Sequence, residues 1–250
     1  MALKLAVLGD IHGNVAALDA ALADAKKHKP DRYVITGDLT FNGPHPGEVI
    51  DKVRSLEKGG ALVIAGNTDL AVADADYAAA FPWLDDVPQT HIAAAEWAHD
   101  QLTDDQLDYL AKLPSERRLW AGDNLVLACH GSPGSITAGL ATDLDPTVTV
   151  ERVTRTDARV ICCGHTHIAN VRELGRKMIL NPGSCGYAFD GDPGACWALL
   201  TLPDGDDAEP SAELFRPAYD AAAAAEEVAA RGLAGDVYRA ATIRTGRLIR

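Results

Sequence analysis

Short apolar runs that break at glycine punctuate the first third of the chain. Leu3–Leu8 runs into Gly9-Asp10, Tyr33–Ile35 leads to Gly37-Asp38, and Ala61–Ala65 stops at Gly66-Asn67. Between them lie segments of helical period. Val15, Leu18, Leu22 and Ala25 share one face, and Val49, Ile50 and Val53 mark a second helix from Gly47 to about Lys58. Strands alternating with helices predict βαβ units around a largely parallel sheet.

The pattern then changes. Residues 71–117 are alanine-rich and helical in period, and Thr103 with Gln106 forms a capping-box signal for a helix that runs through Leu110 and halts before Pro114. This stretch is expected to be a helical insertion, a cap beside the active site. Strand-like runs follow at 118–121, 125–129, 159–163, 170–174, 177–180, 195–202 and 212–215, with Gly175-Arg176 as a two-residue hairpin turn. Residues 218–250 read as a helical tail. There are no repeats. The expected architecture is one domain over 1–250 with two packed sheets and helices outside.

Composition narrows the function. The 250 residues carry 36 acidic against 23 basic side chains, a net charge of −13, which argues against a broad surface for extended nucleic acid. A small phosphorylated substrate remains compatible, because bound divalent cations reverse the local field. The five cysteines, Cys129, Cys162, Cys163, Cys185 and Cys196, form no disulfide framework and read as buried thiols of a reducing compartment. No apolar run reaches bilayer length and the N-terminal run is too short for a signal peptide, so a cytoplasmic protein without membrane contact is expected.

The chemistry sits where the apolar runs end. Asp10 closes the first, with His12 and Asn14 just beyond; Asp38 closes the second and Asn67 the third; His130 follows 125–129, and His165 and His167 follow 159–163. Taken alone, Asp10 reads as a helix N-cap and Asn67 as a turn residue. Together they place imidazole, carboxylate and amide groups at the carboxyl ends of strands, where α/β sheets gather their ligands. Such a mixture suits divalent cations of intermediate softness, and two of them can clamp an in-line phosphoryl displacement. Alternation along extended backbone would put His165 and His167 on one side.

The ordered segments Gly9-Asp10-Ile11-His12-Gly13-Asn14, Gly37-Asp38, Gly66-Asn67-Thr68-Asp69, His130-Gly131 and Gly164-His165-Thr166-His167 resemble the motifs of the calcineurin-like metallophosphoesterase superfamily. The resemblance implies an α/β (α+β) fold, a four-layer αββα sandwich of two mixed β-sheets flanked by helices. It also implies two divalent metal ions, with manganese the expected choice and iron, zinc, nickel and cobalt compatible. Carried over by residue, Asp10, His12 and His167 would hold one ion, Asn67, His130 and His165 the other, and Asp38 would bridge. Asp10, Asp38, Asn67 and His130 would thereby activate a bridging hydroxide as the nucleophile.

The match departs at one position. Many superfamily members carry histidine after Gly-Asn, whereas this chain has Thr68. The chain resembles the small bacterial and archaeal phosphodiesterase-like branch that also lacks this histidine. A threonine donates a hydrogen bond but is no acid near neutral pH. The expected activity is hydrolysis of a phosphodiester or phosphoanhydride of a small molecule such as a nucleotide. The alternatives are a phosphomonoesterase or protein phosphatase and, in another class, a non-catalytic interaction scaffold. Asn14, His45 and Thr68 are candidate phosphate contacts, with a solvated loop residue the preferred reading of His45. The turn Asn181-Pro182-Gly183-Ser184 is expected to support the histidine loop. His91 and His99 read as helix-surface residues, and Trp83, Trp97 and Trp120 as packing residues or a base-binding wall. The oligomeric state is open, with the alanine-rich insert and tail as candidate interface surfaces.

Overall fold

The computed structural model describes residues 2–204 and 209–250. Two five-stranded sheets form the centre. The first has the order β10-β9-β1-β2-β3, built from β1 (Leu3–Leu8), β2 (Arg32–Ile35), β3 (Leu62–Val63), β9 (Trp197–Leu202) and β10 (Ser211–Phe215). The second has the order β4-β5-β6-β8-β7, from β4 (Glu116–Ala121), β5 (Asn124–Cys129), β6 (Val160–Cys162), β7 (Asn170–Leu174) and β8 (Lys177–Asn181). Both are mixed. β1, β2 and β3 run parallel, as do β5, β6 and β8, while β9, β10, β4 and β7 pair antiparallel.

Strand alternation explains the layers. Leu5 and Val7 of β1, Val126 and Ala128 of β5, Val160 and Cys162 of β6 and Leu180 of β8 point between the sheets into one buried cluster. Their neighbours point outward. Ala6 and Leu8 meet helices α1 (Val15–Ala25) and α2 (Pro46–Lys58) through Leu18, Ala21, Val49 and Val53. Leu127, Cys129, Ile161 and Cys163 pack instead with Val153 of α7 (Pro146–Val153). The result is the four-layer sandwich expected from the resemblance. Cys162 and Cys163 fall into separate clusters, as adjacent strand residues must.

Four helices lie between the sheets in sequence: α3 (Asn67–Asp74), α4 (Tyr77–Ala80), α5 (Gln89–Asp100) and α6 (Asp104–Ala111). Thr103 and Gln106 make the capping box of α6. At the C-terminus, α8 (Ala221–Ala230) and α9 (Asp236–Thr245) pack on Tyr187 and Phe189.

Some boundaries differ from the periodicity. The third strand shrinks to Leu62–Val63 because the backbone at Ala65 leaves the sheet and bonds to Pro114 O at 2.9 Å. Helix α7 goes beyond the expected elements; its signal is the Asp145 cap with proline at the first helical position. His91 and His99 are half-buried rather than surface residues. The His91 ring centroid lies 5.2 Å from that of Phe81, and His99 Nδ1 lies 2.8 Å from Val72 O.

Candidate metal centre

The parallel strands deliver their carboxyl ends to one edge of the sandwich, and the loops that follow are stitched together there. Asp10 N donates to Gly37 O (3.0 Å), His12 N to Asp38 O (2.9 Å) and Gly164 N to His130 O (2.8 Å). Across the sheets, His165 N donates to the Asp10 carboxylate at 3.1 Å. The Asn181 amide donates to Gly164 O (2.7 Å) and Thr166 Oγ1 (3.0 Å), and Ser184 Oγ donates to Asp10 O (2.7 Å), so the late turn does brace both loops.

These loops hold strained backbone. Asp10, His12, Asp38, His165 and His167 all have φ between 51° and 68°. The left-handed region costs a non-glycine residue about 1–3 kcal/mol, and it persists only where the surroundings impose it. It also re-aims side chains. His165 and His167 do not alternate on extended backbone as expected; each turns separately, toward a different half of the site.

One donor atom from each of Asp10, His12, Asp38 and His167 lies within 4.8 Å of the others, and all four residues are buried. His12 Nε2 is 3.2 Å from His167 Nε2 and 3.5 Å from Asp38 Oδ2, and His167 Nε2 is 3.3 Å from Asp10 Oδ1. The second group adjoins it. Asn67 Oδ1 is 3.1 Å from His130 Nε2 and 2.9 Å from His165 Nδ1, and His130 Nε2 is 3.5 Å from Asp38 Oδ1. Asp38 thus faces both groups, one oxygen to each.

The outer hydrogen bonds set the donor directions. Nδ1 of His12, His130 and His167 reaches the carbonyls of Phe41 (3.1 Å), Thr36 (2.7 Å) and Tyr187 (2.5 Å). A carbonyl only accepts, so each Nδ1 carries the proton and each Nε2 turns inward. The Asn67 amide nitrogen donates to Ala80 O (2.9 Å), which leaves its oxygen facing the histidines. Lone pairs on His12 and His167 that meet at 3.2 Å need a positive charge between them. The donor set therefore fits divalent cations of intermediate softness.

The titration behaviour agrees. Burial would raise Asp10, but His167 overrides it and holds the carboxyl below its usual range. Burial likewise opposes ionisation of Asp38, and His130 with His12 wins. Burial pushes His12 and His165 down to about 4. His130 goes the other way: despite burial, the charge of Asp38 pushes it up to about 9. The pocket draws positive charge to the space around Asp38.

Two glycines make the close approach possible. A Cβ at Gly66 would lie 2.1 Å from Asp38 Oδ1, and one at Gly164 would lie 2.6 Å from Asp10 Oδ2. Asp69 ties the second and third loops, accepting from Leu39 N and Gly66 N at 2.8 Å each.

The three candidate phosphate contacts fare differently. Thr68 sits in the site, its backbone N–H donating to Asp38 Oδ1 at 2.9 Å and its buried hydroxyl without a hydrogen-bond partner among the described residues. Asn14 is spent on the protein itself. It caps α1 through Ala17 N and donates to Gly186 O and Tyr219 Oη at 3.0 Å each. The His45 ring nitrogens face Glu227 of α8 (2.5 Å) and Glu48 (3.3 Å). Asn14, not Asp10, is the cap of the first helix.

Residues without a motif complete the surroundings. Phe189 stacks on His167 (centroids 4.1 Å apart, 15° between planes), and Trp83 meets His165 edge-on at 5.8 Å. Thr36 and Tyr187 act through their carbonyls, which any residue type supplies, so composition offers no signal for them. A hollow of about 500 Å³ opens behind the third loop, lined by Ala65, Leu70, Ile136 and others, and includes none of the seven donor residues.

Comparison with known proteins points the same way. Residues 3–205 match the calcineurin-like phosphoesterase superfamily domain. The chain is 25% identical to the uncharacterized protein MJ0912 of Methanocaldococcus jannaschii, covering 90% of this chain and 91% of that one. A metallophosphoesterase from Sphaerobacter thermophilus superposes with a TM-score of 0.76 at 25% identity, over 98% of this chain and 100% of the other. The hypothetical protein PH1004 from Pyrococcus horikoshii OT3 shares the fold, with a TM-score of 0.81 at 22% identity and 98% coverage of each chain. A match over most of the sequence, on a sandwich whose loops gather a buried Asp/His cluster, means that the chain belongs to the calcineurin-like phosphoesterase superfamily.

Proposed function

We propose that the protein is a two-cation phosphohydrolase that cleaves diesters or anhydrides of small phosphorylated molecules such as nucleotides. The observation that carries this reading is the position of Asp38, whose two oxygens each lie 3.5 Å from an imidazole Nε2, one in each donor group. Asp10, His12 and His167 would hold the first cation, and Asn67, His130 and His165 the second. Asp38 would bridge them. Two divalent ions, manganese first among them, would supply at this spot the positive charge that lowers the pKa of water and neutralises phosphoryl oxygens.

The chain's own groups do the positioning. Three carbonyls fix the imidazoles, Ala80 O fixes the Asn67 amide, and the Thr68 N–H orients Asp38. The loop geometry is imposed before any substrate arrives, which is what electrostatic catalysis requires.

The preference for diesters and anhydrides rests on Thr68. Its unpartnered hydroxyl can donate a hydrogen bond to a phosphoryl oxygen, but it cannot protonate a poor leaving group. Leaving groups that depart as stable anions are therefore favoured.

Purified protein loaded with manganese should bind two ions per chain by elemental analysis and hydrolyse an aryl phosphodiester. It should act faster on the aryl diester than on the matching aryl monoester. A clear monoester preference removes the diester reading. Neither bound metal nor turnover would favour the scaffold alternative.

A further inference from the structure

An arc of aromatic rings borders the donor cluster from one side to the other. It starts at His12, whose ring centroid lies 6.4 Å from that of Phe41. Phe41 is 6.0 Å from Phe81, Phe81 is 5.9 Å from Trp83, and Trp83 is 5.8 Å from His165. His91 fills the inner bend, 5.2 Å from Phe81 and 6.3 Å from Phe41. Phe41 and Phe81 are buried, but Trp83 at the end of the arc is 55% exposed.

That exposure is out of place for a packing residue. An indole buries the largest apolar area of any side chain, and wetting half of it forgoes that gain. The indole N–H makes no hydrogen bond among the described residues. Of the exposed large rings among the described residues, Trp83, Trp120 on β4 and Tyr238 on α9, Trp83 is the one with a ring contact to a donor imidazole. The segment that carries it is anchored to the site, because Ala80 O accepts from the Asn67 amide. The ring is thus held at a fixed place against His165, with the rest of its surface open.

We propose that Trp83 is the specificity-determining residue of this site, stacking a planar, uncharged aromatic group that the substrate carries next to its phosphate. A nucleobase or an aryl ester fits this description. The inference rests on the proposed phosphohydrolase reading, since the phosphate end must sit at the cation site beside His165. Asp85 and Asp86, two and three positions on, are exposed and add negative charge to the same segment. Stacking tolerates any flat ring, so the group is chosen by shape rather than by hydrogen-bond pattern.

Two non-hydrolysable probes test this by calorimetry on the manganese-loaded protein: phenylphosphonate and methylphosphonate. The wild-type chain should bind the phenyl compound about tenfold more tightly, as expected for one stacked ring. Trp83→Ala should abolish that margin while leaving methylphosphonate affinity within about twofold, and Trp83→Phe should restore most of it. Because the side chain is exposed, melting temperature should stay constant across the series. A Trp83→Ala protein that keeps the phenyl margin, or a wild type that binds both probes equally, overturns the role of Trp83 and leaves the phosphohydrolase reading standing. A wild type that binds neither probe overturns the phosphohydrolase reading itself.

Discussion

Asn67 and His165 meet at 2.9 Å, amide oxygen to ring Nδ1, across 98 positions of sequence. Asn67 opens helix α3 after the third strand, and His165 follows β6 of the other sheet, so this contact spans both halves of the sandwich. His12, His130 and His167 present Nε2 because a carbonyl holds their Nδ1; His165 presents Nδ1 instead. The two halves of the donor cluster are built differently, and Asp38 joins them.

Replacing Asp38 with asparagine tests that junction. The amide keeps the shape but loses the charge that both imidazole groups face. Turnover should fall at least about 100-fold, since even outer-shell changes at metal sites cost 10–100-fold. Bound metal per chain should fall in parallel. Near-normal turnover of Asp38→Asn would contradict the bridging role.

Gly164→Ala should act on the same cluster from behind. The new methyl group would press on Asp10 Oδ2 at 2.6 Å and on Thr36 Oγ1 at 3.1 Å. Overpacking of this kind costs roughly 1–3 kcal/mol of stability. The displaced carboxylate should also weaken metal binding about 10–100-fold. Thermal unfolding and metal titration would separate the two effects.

Chelation should lower the melting temperature. A cation that binds only the folded chain at a hundred times its Kd adds about 2.7 kcal/mol. For a chain of this size that corresponds to about 5–10 °C. Scanning calorimetry with manganese, and then with excess chelator, reads the difference directly. An unchanged melting temperature would count against a tightly bound ion.

The five cysteines should be silent in the folded protein. All are buried, and burial pushes the thiols of Cys163 and Cys196 up to about 12. The reactive thiolate is therefore scarce at pH 8, and reagents cannot reach it. Titration with a thiol-specific chromogen should release almost nothing until denaturant is added, and then five equivalents per chain. Rapid labelling of one native thiol would show that its surroundings open.

The tail depends on a buried ionic network. Arg239 and Arg231 both pair with Asp236, and they reach back to Asn42 Oδ1 and Gly43 O at 3.0 Å each. Arg239→Met should cost roughly 3 kcal/mol, the low end for breaking a buried pair, because Asp236 keeps Arg231. Hydrogen exchange should then rise first in α8, α9 and the loop that carries Phe41.

Much of this molecule is legible in one dimension. The ends of the apolar runs mark the strand ends, and the order of Asp10-Ile11-His12, Asp38, Asn67, His130 and His165-Thr166-His167 marks a donor set, because strand periodicity and glycine punctuation are local properties. The capping box at Thr103 is local in the same sense. Other features depend on distance in space. Asn14 looks like part of the donor motif, yet tertiary contacts with Gly186 and Tyr219 spend its amide elsewhere. His45 follows Asp38 closely in sequence, but its ring turns to Glu227 on the C-terminal helix. The carbonyls of Phe41, Thr36 and Tyr187 carry no side-chain signature at all. Trp83 is one of three tryptophans that the sequence offers as packing residues or a base-binding wall, and its exposed ring against His165 sets it apart only in the folded chain. Sequence alone determined which chemical groups the chain offers and which strands carry them. Packing of the two sheets decided which groups face one another, since a donor's direction depends on partners 13 to 94 positions away that periodicity does not encode.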